Sequence, residues 1–107
     1  MSYLSLIKGK MRRRFGISEW ASFLDHVAIV LVEPQVPGNI GATARAMRNI
    51  GLSKLVLVNP VDFLNVPEAR WMAHMSEDLL ENARMCATLD DALQDAVFVV
   101  GTTSPAR

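Results

Sequence analysis

The sequence predicts an α/β fold, a parallel sheet with flanking helices. Three observations carry this. The runs Val27–Val32, Leu55–Val58 and Val97–Val100 are apolar and mostly β-branched, the composition of strands buried on both faces. Segments of helical character separate them, and alternation of strand with helix implies parallel pairing through right-handed crossovers. Glycine, proline and asparagine punctuate each junction.

Taken in order, residues 1–25 differ from the rest. Lys8–Arg14 is a basic run, broken by Gly9 and Gly16, and Ser18 is placed to cap a short helix bearing Trp20, Phe23 and Leu24. This region reads as a loosely ordered extension or an upstream start. The competing readings are a basic arm that touches RNA and a mitochondrial presequence. After the strand Val27–Val32, a helix spans Asn39–Ile50, with Asn39 as N-cap and Gly51 as the residue past its end. Leu55–Val58 is a second strand, stopped by Asn59-Pro60. Helices follow at Asn65–His74, with Pro67 in the first turn, and at Ser76–Ala83, capped by Ser76. Arg84–Ala87 suits a short edge strand, and Thr88-Leu89-Asp90-Asp91 resembles a capping box for a helix ending at Gln94. Val97–Val100 reads as a last buried strand, leading into Gly101-Thr102-Thr103-Ser104-Pro105. Met47, Met72, Met75 and Met85 sit among apolar neighbours and read as core.

Composition narrows the function classes. The 107 residues suit one small domain, half of it hydrophobic and 21% charged. No apolar run approaches the ~18 residues of a membrane helix, and the first residues lack the apolar core of a secretory signal. The lone Cys86 has no internal disulfide partner, and a cytoplasmic protein is expected. Net charge is zero but uneven: residues 1–25 hold five basic and two acidic side chains, the remainder six and nine. Any contact of the body with nucleic acid must therefore be local. His26, His74 and Cys86 are too scattered to suggest a metal site, and no metal is expected. A Walker loop and a Ser-His-Asp grouping are absent, and Gly38-x-x-Gly41 lacks the first glycine of a dinucleotide loop.

The stretch Pro37–Gly51 stands out. It opens a helix directly after a strand, where free backbone N–H groups gather at the carboxyl edge of the sheet. It places Asn39, Arg45 and Arg48 there, with Gly38 and Gly41 permitting close approach of another backbone. Arg45 lies four positions past Gly41, on the same helix face. An arginine fork beside an open helix N-terminus suits a phosphate. Alternatively, Asn39 only caps the helix while the arginines pair with surface acids, and the residues alone leave the two readings level. The carboxyl-edge rule also lets Thr102, Thr103 and Ser104 converge with Asn39 and Arg45.

The order Val30-Leu31-Val32-Glu33, Gly38-Asn39-Ile40-Gly41, Ala44-Arg45-Ala46-Met47, Gly51-Leu52 and Leu57-Val58-Asn59-Pro60 resembles the SpoU-type (SPOUT superfamily) RNA 2′-O-ribose methyltransferases. It is similar to the bacterial branch that acts on the tRNA anticodon loop. Thr88–Leu93 and Val99–Thr103 are similar to that branch as well. The resemblance covers residues 26–107, which would form part of a methyltransferase domain, and leaves 1–25 as an extension outside it. It implies a Rossmann-like half of an α/β-knot fold, S-adenosyl-L-methionine as methyl donor and an RNA ribose hydroxyl as acceptor. The implied partners are RNA, tRNA before rRNA, and a second copy in a homodimer, with no DNA and no membrane. It implies catalytic roles for Asn39 and Arg45, substrate contacts at Gly38, Gly41 and Arg48, and a cofactor rim at Thr102, Thr103 and Ser104. A guanidinium stays protonated at neutral pH and is a poor general base, so the role its chemistry allows is to hold a phosphate and stabilise developing alkoxide charge.

Two motifs of that family, a glycine-rich Phe-Gly-x-Glu loop and a Ser-Leu-Asn segment, do not occur in these residues. They form the knot around the cofactor. The expectation is therefore an RNA methyltransferase by family whose 107-residue polypeptide neither binds the cofactor tightly nor turns over. The alternative is a non-catalytic RNA-binding or dimerisation module derived from such an enzyme. An unrelated nucleotide-binding α/β domain is a third reading. With apolar strand faces left uncovered, the isolated chain is expected to associate or to be marginally stable.

Overall fold

Strand β2 (Val27–Val32) and strand β3 (Lys54–Val58) pair in parallel, from Ala28 opposite Lys54 to Val32 opposite Val58. Their side chains alternate between two cores, as the period of two requires. Val27, Leu31, Leu55 and Leu57, with half-buried Ile29, face one core; Ala28, Val30, Val56 and Val58, with half-buried Val32, face the other. The computed structural model describes residues 2–7 as backbone and residues 22–102. The basic run Lys8–Arg14, the cap at Ser18, Trp20, and Thr103 and Ser104 lie outside the described residues.

The first core is covered by helices α1 (Pro37–Ile50), α2 (Pro67–Ala73) and α3 (Glu77–Glu81). The second is covered by α4 (Leu89–Leu93) through Leu89, Ala92 and Leu93. Strand β4 (Arg84–Cys86) pairs in parallel with β3 and forms one edge, as the sequence predicts. Thr88 caps α4, its Oγ1 accepting from the Asp91 N–H at 3.2 Å. Residues 22–24 make a single helical turn whose Phe23 and Leu24 pack on the first core.

Strand β1 (Ser2–Ile7) is not foreseen from the sequence. It is antiparallel to both of its neighbours, β2 and strand β5 (Ala96–Thr102). Among the described residues the sheet thus has five strands, in the order β4-β3-β2-β1-β5. The parallel sheet with flanking helices is present in β4-β3-β2, extended by an antiparallel strand. β5 points the same way as β2 but does not touch it. Its expected burial is not found: Val97 and Phe98 are 60% and 59% exposed, because β5 is the outer strand on that side and α4 sits over β2 and β3.

Helix α1 begins two residues earlier than expected. Val36 is the N-cap, in extended conformation, and Pro37 takes the first helical position, where a fixed φ and a missing N–H suit it. Asn39 is therefore inside the first turn and is not the cap. At the other end Gly51 adopts φ 98°; its N–H donates to Arg48 O and the Leu52 N–H donates to Met47 O at 2.9 Å. Ser76 occupies the cap position of α3 but is buried and makes no capping bond through its side chain. Of the four methionines expected in the core only Met47 is buried; Met72, Met75 and Met85 are exposed, on the outer face of α2, in the turn after it and on the edge strand respectively.

Two contacts hold α1 in place. At Gly41 the backbones of α1 and α2 meet so closely that a Cβ would lie 2.0 Å from the Ala69 carbonyl oxygen. Arg48 Nη2 donates to both carboxylate oxygens of Asp78 at the start of α3. That bond holds the Asp78 carboxyl below its ordinary range, against the opposing effect of desolvation.

Gly41→Ala is expected to cost about 3 kcal/mol, because rigid backbone must move. Gly38→Ala, which meets only the flexible end of Glu68 at 3.0 Å, should cost under about 1 kcal/mol. Urea denaturation of both variants separates the two; equal losses would contradict the packing assigned to Gly41. The Asp78 carboxyl should titrate below the ~3.9 of a free aspartate and return towards it in Arg48→Ala, read by NMR. A lowered folded-state value means that the pair's contribution is present at neutral pH and is lost as pH falls through that lowered value.

Candidate functional site

Parallel strands leave their carboxyl ends at one edge, and the described site lies there. β2 and β3 each end in a residue of positive φ: Glu33 at 50° and Asn59 at 45°. The Glu33 N–H donates to Val58 O and the Asn59 N–H to Cys86 O, both at 2.8 Å, which carries each ladder one residue past its strand. Asparagine tolerates this conformation, whereas glutamate in it carries strain of about 1 kcal/mol. The chain then runs through Pro34–Val36 into α1. Gln35 Nε2 donates to Glu33 O at 2.9 Å and the Val61 N–H to Pro34 O at 3.1 Å, so this connection is tied at both ends.

An open cleft of about 380 Å3 results, lined by Leu31, Val32, Glu33, Pro34, Gln35, Val36, Asn39 and Thr43. Asn39 and Thr43 are one turn apart on the same helix face, and Thr43 Oγ1 donates to Asn39 O at 2.8 Å. The first turn of α1 holds no acidic residue to offset its positive end. Among the described residues no cluster of His, Cys, Asp and Glu is able to hold a metal ion.

The expected site residues separate into distinct settings. Asn39 is exposed and lines the cleft. Arg45 is exposed and makes no hydrogen bond or ion pair with another described residue. It lies six positions beyond Asn39, about 9 Å along the axis and about 120° around it, outside the cleft lining. Arg48 is engaged by Asp78. Gly38 and Gly41 are buried against α2, Gly41 by the backbone contact described above. Glu33, Gln35 and Thr43 are cleft residues that the sequence patterns do not single out. The rule that ligands sit past strand carboxyl ends marks Glu33 and Gln35, which directly follow Val32.

Of the three residues expected at the cofactor rim, Thr102 is the one described, and it lies apart from the cleft. It is exposed at the end of β5, opposite Ser2, which is opposite Leu31. Two strand spacings, about 10 Å, separate it from β2 and the cleft.

Comparison with known proteins agrees with the resemblance. Over 84 residues the chain is 45% identical to the tRNA (cytidine/uridine/adenosine-2′-O-)-methyltransferase TrmJ of Pseudomonas aeruginosa, covering 78% of this chain and 32% of that protein. It is 42% identical over 81 residues to the uncharacterized tRNA/rRNA methyltransferase LasT of Escherichia coli, covering 76% and 35%. The chain thus spans about a third of the length of these relatives. Among solved structures, a probable methyltransferase from Bordetella pertussis superposes with a TM-score of 0.57 at 41% identity, over 60% of this chain and 40% of that one. TrmJ from Z. mobilis gives 0.55 at 42% identity, over 60% and 29%. Residues 26–106, which hold β2 through β5 and the whole cleft, match the SpoU rRNA Methylase family, and the chain belongs to that family.

Proposed function

We propose that these residues supply the RNA-facing part of a 2′-O-ribose methyltransferase site acting on tRNA. The observation that carries the reading is the contrast between the two arginines of α1. Arg48 is engaged by Asp78, whereas Arg45 is exposed and unpaired among the described residues. An exposed, unpaired arginine on a helix whose first turn holds no acidic residue is suited to contact a phosphate. Asn39, one donor and one acceptor in the cleft, is set to orient a ribose whose neighbouring phosphate Arg45 holds. An RNA backbone running along α1 from its first turn to past its middle spans the roughly 9 Å between them.

The choice of tRNA follows the activity named for the TrmJ relatives, and S-adenosylmethionine is the methyl donor expected of the family. Thr102 stands away from the cleft, so the roles assigned to Asn39 and Arg45 concern the RNA alone. Assembly as a homodimer belongs to the same proposal and is supported by the exposed apolar residues of β5.

Filter binding of unmodified tRNA to the 107-residue chain at about 50 mM salt tests the reading. Arg45→Ala should weaken binding about tenfold and lower the salt slope by about one. Arg48→Ala, removing an arginine already paired, should change binding less than about threefold. Equal effects, or no binding by the unaltered chain, would sink the proposal. In calorimetry, S-adenosylmethionine should show no micromolar binding to this chain, and a micromolar isotherm would overturn that expectation.

A further inference from the structure

β2 and β3 end alike, but in residues of different chemistry. Asn59 adopts φ 45° past β3, and Glu33 adopts φ 50° past β2. Asparagine is eased in this conformation because its short amide reaches nearby backbone, and the longer glutamate has no such relief. Three hydrogen bonds nevertheless hold Glu33 and the segment after it. The Glu33 N–H donates to Val58 O, Gln35 Nε2 to Glu33 O, and the Val61 N–H to Pro34 O. None of the three uses the Glu33 carboxylate. That side chain makes no hydrogen bond or ion pair with another described residue. Glu33 is exposed, and it lines the cleft together with Asn39. A residue that strains its own backbone, and whose side chain holds nothing in the fold, is available to a ligand.

The chemistry of a carboxylate decides what that ligand must offer. Ionised, it accepts hydrogen bonds and donates none. It also repels phosphate, which carries charge of the same sign. Along an RNA backbone the phosphate, ester and ring oxygens only accept, and the 2′-hydroxyl is the group that donates. Glu33 therefore disfavours phosphate inside the cleft and favours a sugar hydroxyl. Arg45, outside the cleft lining, is left to the phosphate.

We propose that Glu33 is the residue by which the cleft selects ribose: its carboxylate accepts a hydrogen bond from the 2′-hydroxyl. A deoxyribose lacks that donor. A 2′-O-methylated ribose lacks it too, so the same bond favours the methyl acceptor over its product. The inference rests on the RNA-facing reading above and adds the group that reads the sugar.

Three single strands of one sequence of about 12 nucleotides test it, made as RNA, DNA and 2′-O-methyl RNA. The bases are identical, and the methylated strand keeps the sugar pucker of RNA. Fluorescence anisotropy with the 107-residue chain at about 50 mM salt should show RNA bound at least about fivefold more tightly than either other strand. Glu33→Ala should bring the three within about twofold of one another. Glu33→Gln keeps an acceptor oxygen and sheds the charge, so it should bind all three strands more tightly and preserve their order. Glu33→Asn should lose the preference through its shorter reach and yet raise the urea midpoint, because asparagine tolerates the left-handed backbone. Equal binding of the three strands by the unaltered chain overturns the proposal, as does a preference that survives both Glu33→Ala and Glu33→Asn. In either case RNA binding that falls with Arg45→Ala leaves the RNA reading standing, whereas failure to bind every strand sinks both.

Discussion

The close approach of α1 to α2 at Gly41 sets the position of everything else in the site. No side chain fits between this residue and the Ala69 carbonyl, so the two helix backbones rest on each other directly. Ala44, Ala69 and Ala73 are fully buried around that contact and keep the helices close beyond a single turn. Ile40 and Met47, further round α1, then reach the sheet. A helix held at two sides has little freedom to roll. Its N-terminus must open at the end of β2, Asn39 must face the cleft, and Arg45 must project away from the core. A bulkier residue at Gly41 would alter all three together, because one rigid element carries them.

The cleft itself is built by backbone constraints. Glu33 is held in a left-handed conformation that glutamate rarely adopts, and the Val58 carbonyl and Gln35 side chain secure its backbone on both sides. Strain of this kind persists only where surrounding bonds over-determine it, and it is common beside functional sites. Here it turns the chain sharply from the strand into the extended segment that precedes Pro37. The electrostatics complement the geometry. The dipole of a 14-residue helix is not offset by an acid in its first turn, and one of its two arginines is free of acidic partners among the described residues. The overall charge of zero conceals this local character, which acts only at short range.

Sequence patterns with a local cause are legible. The two-sided apolarity of Val27–Val32 and Leu55–Val58 announces the parallel pair, Gly51 announces the left-handed helix end, and Thr88 with Asp91 announces the start of α4. Asn39 misleads because its side chain suits an N-cap, while Pro37 suits the first helical position more strictly and prevails. The engagement of Arg48 by Asp78 joins residues 30 apart, which no local pattern encodes. Gly41 looks like an approach point for substrate, but its missing side chain accommodates α2, a contact set by tertiary packing. The methionines depart from expectation for a related reason, since Met72, Met75 and Met85 stand where no partner layer covers them, which tertiary packing alone decides.

β5 shows the limit of such reading. Its sequence calls for burial on both faces, and the strand nonetheless stands exposed at the outer edge. The local preference and the observed position therefore disagree, and a natural fold tends to bring these levels into agreement. An antiparallel strand set beside a parallel sheet supplies its hydrogen bonds without supplying the helices that would cover β5. The backbone of β5 is satisfied by β1, and its side chains are not satisfied by anything comparable to the layers over β2.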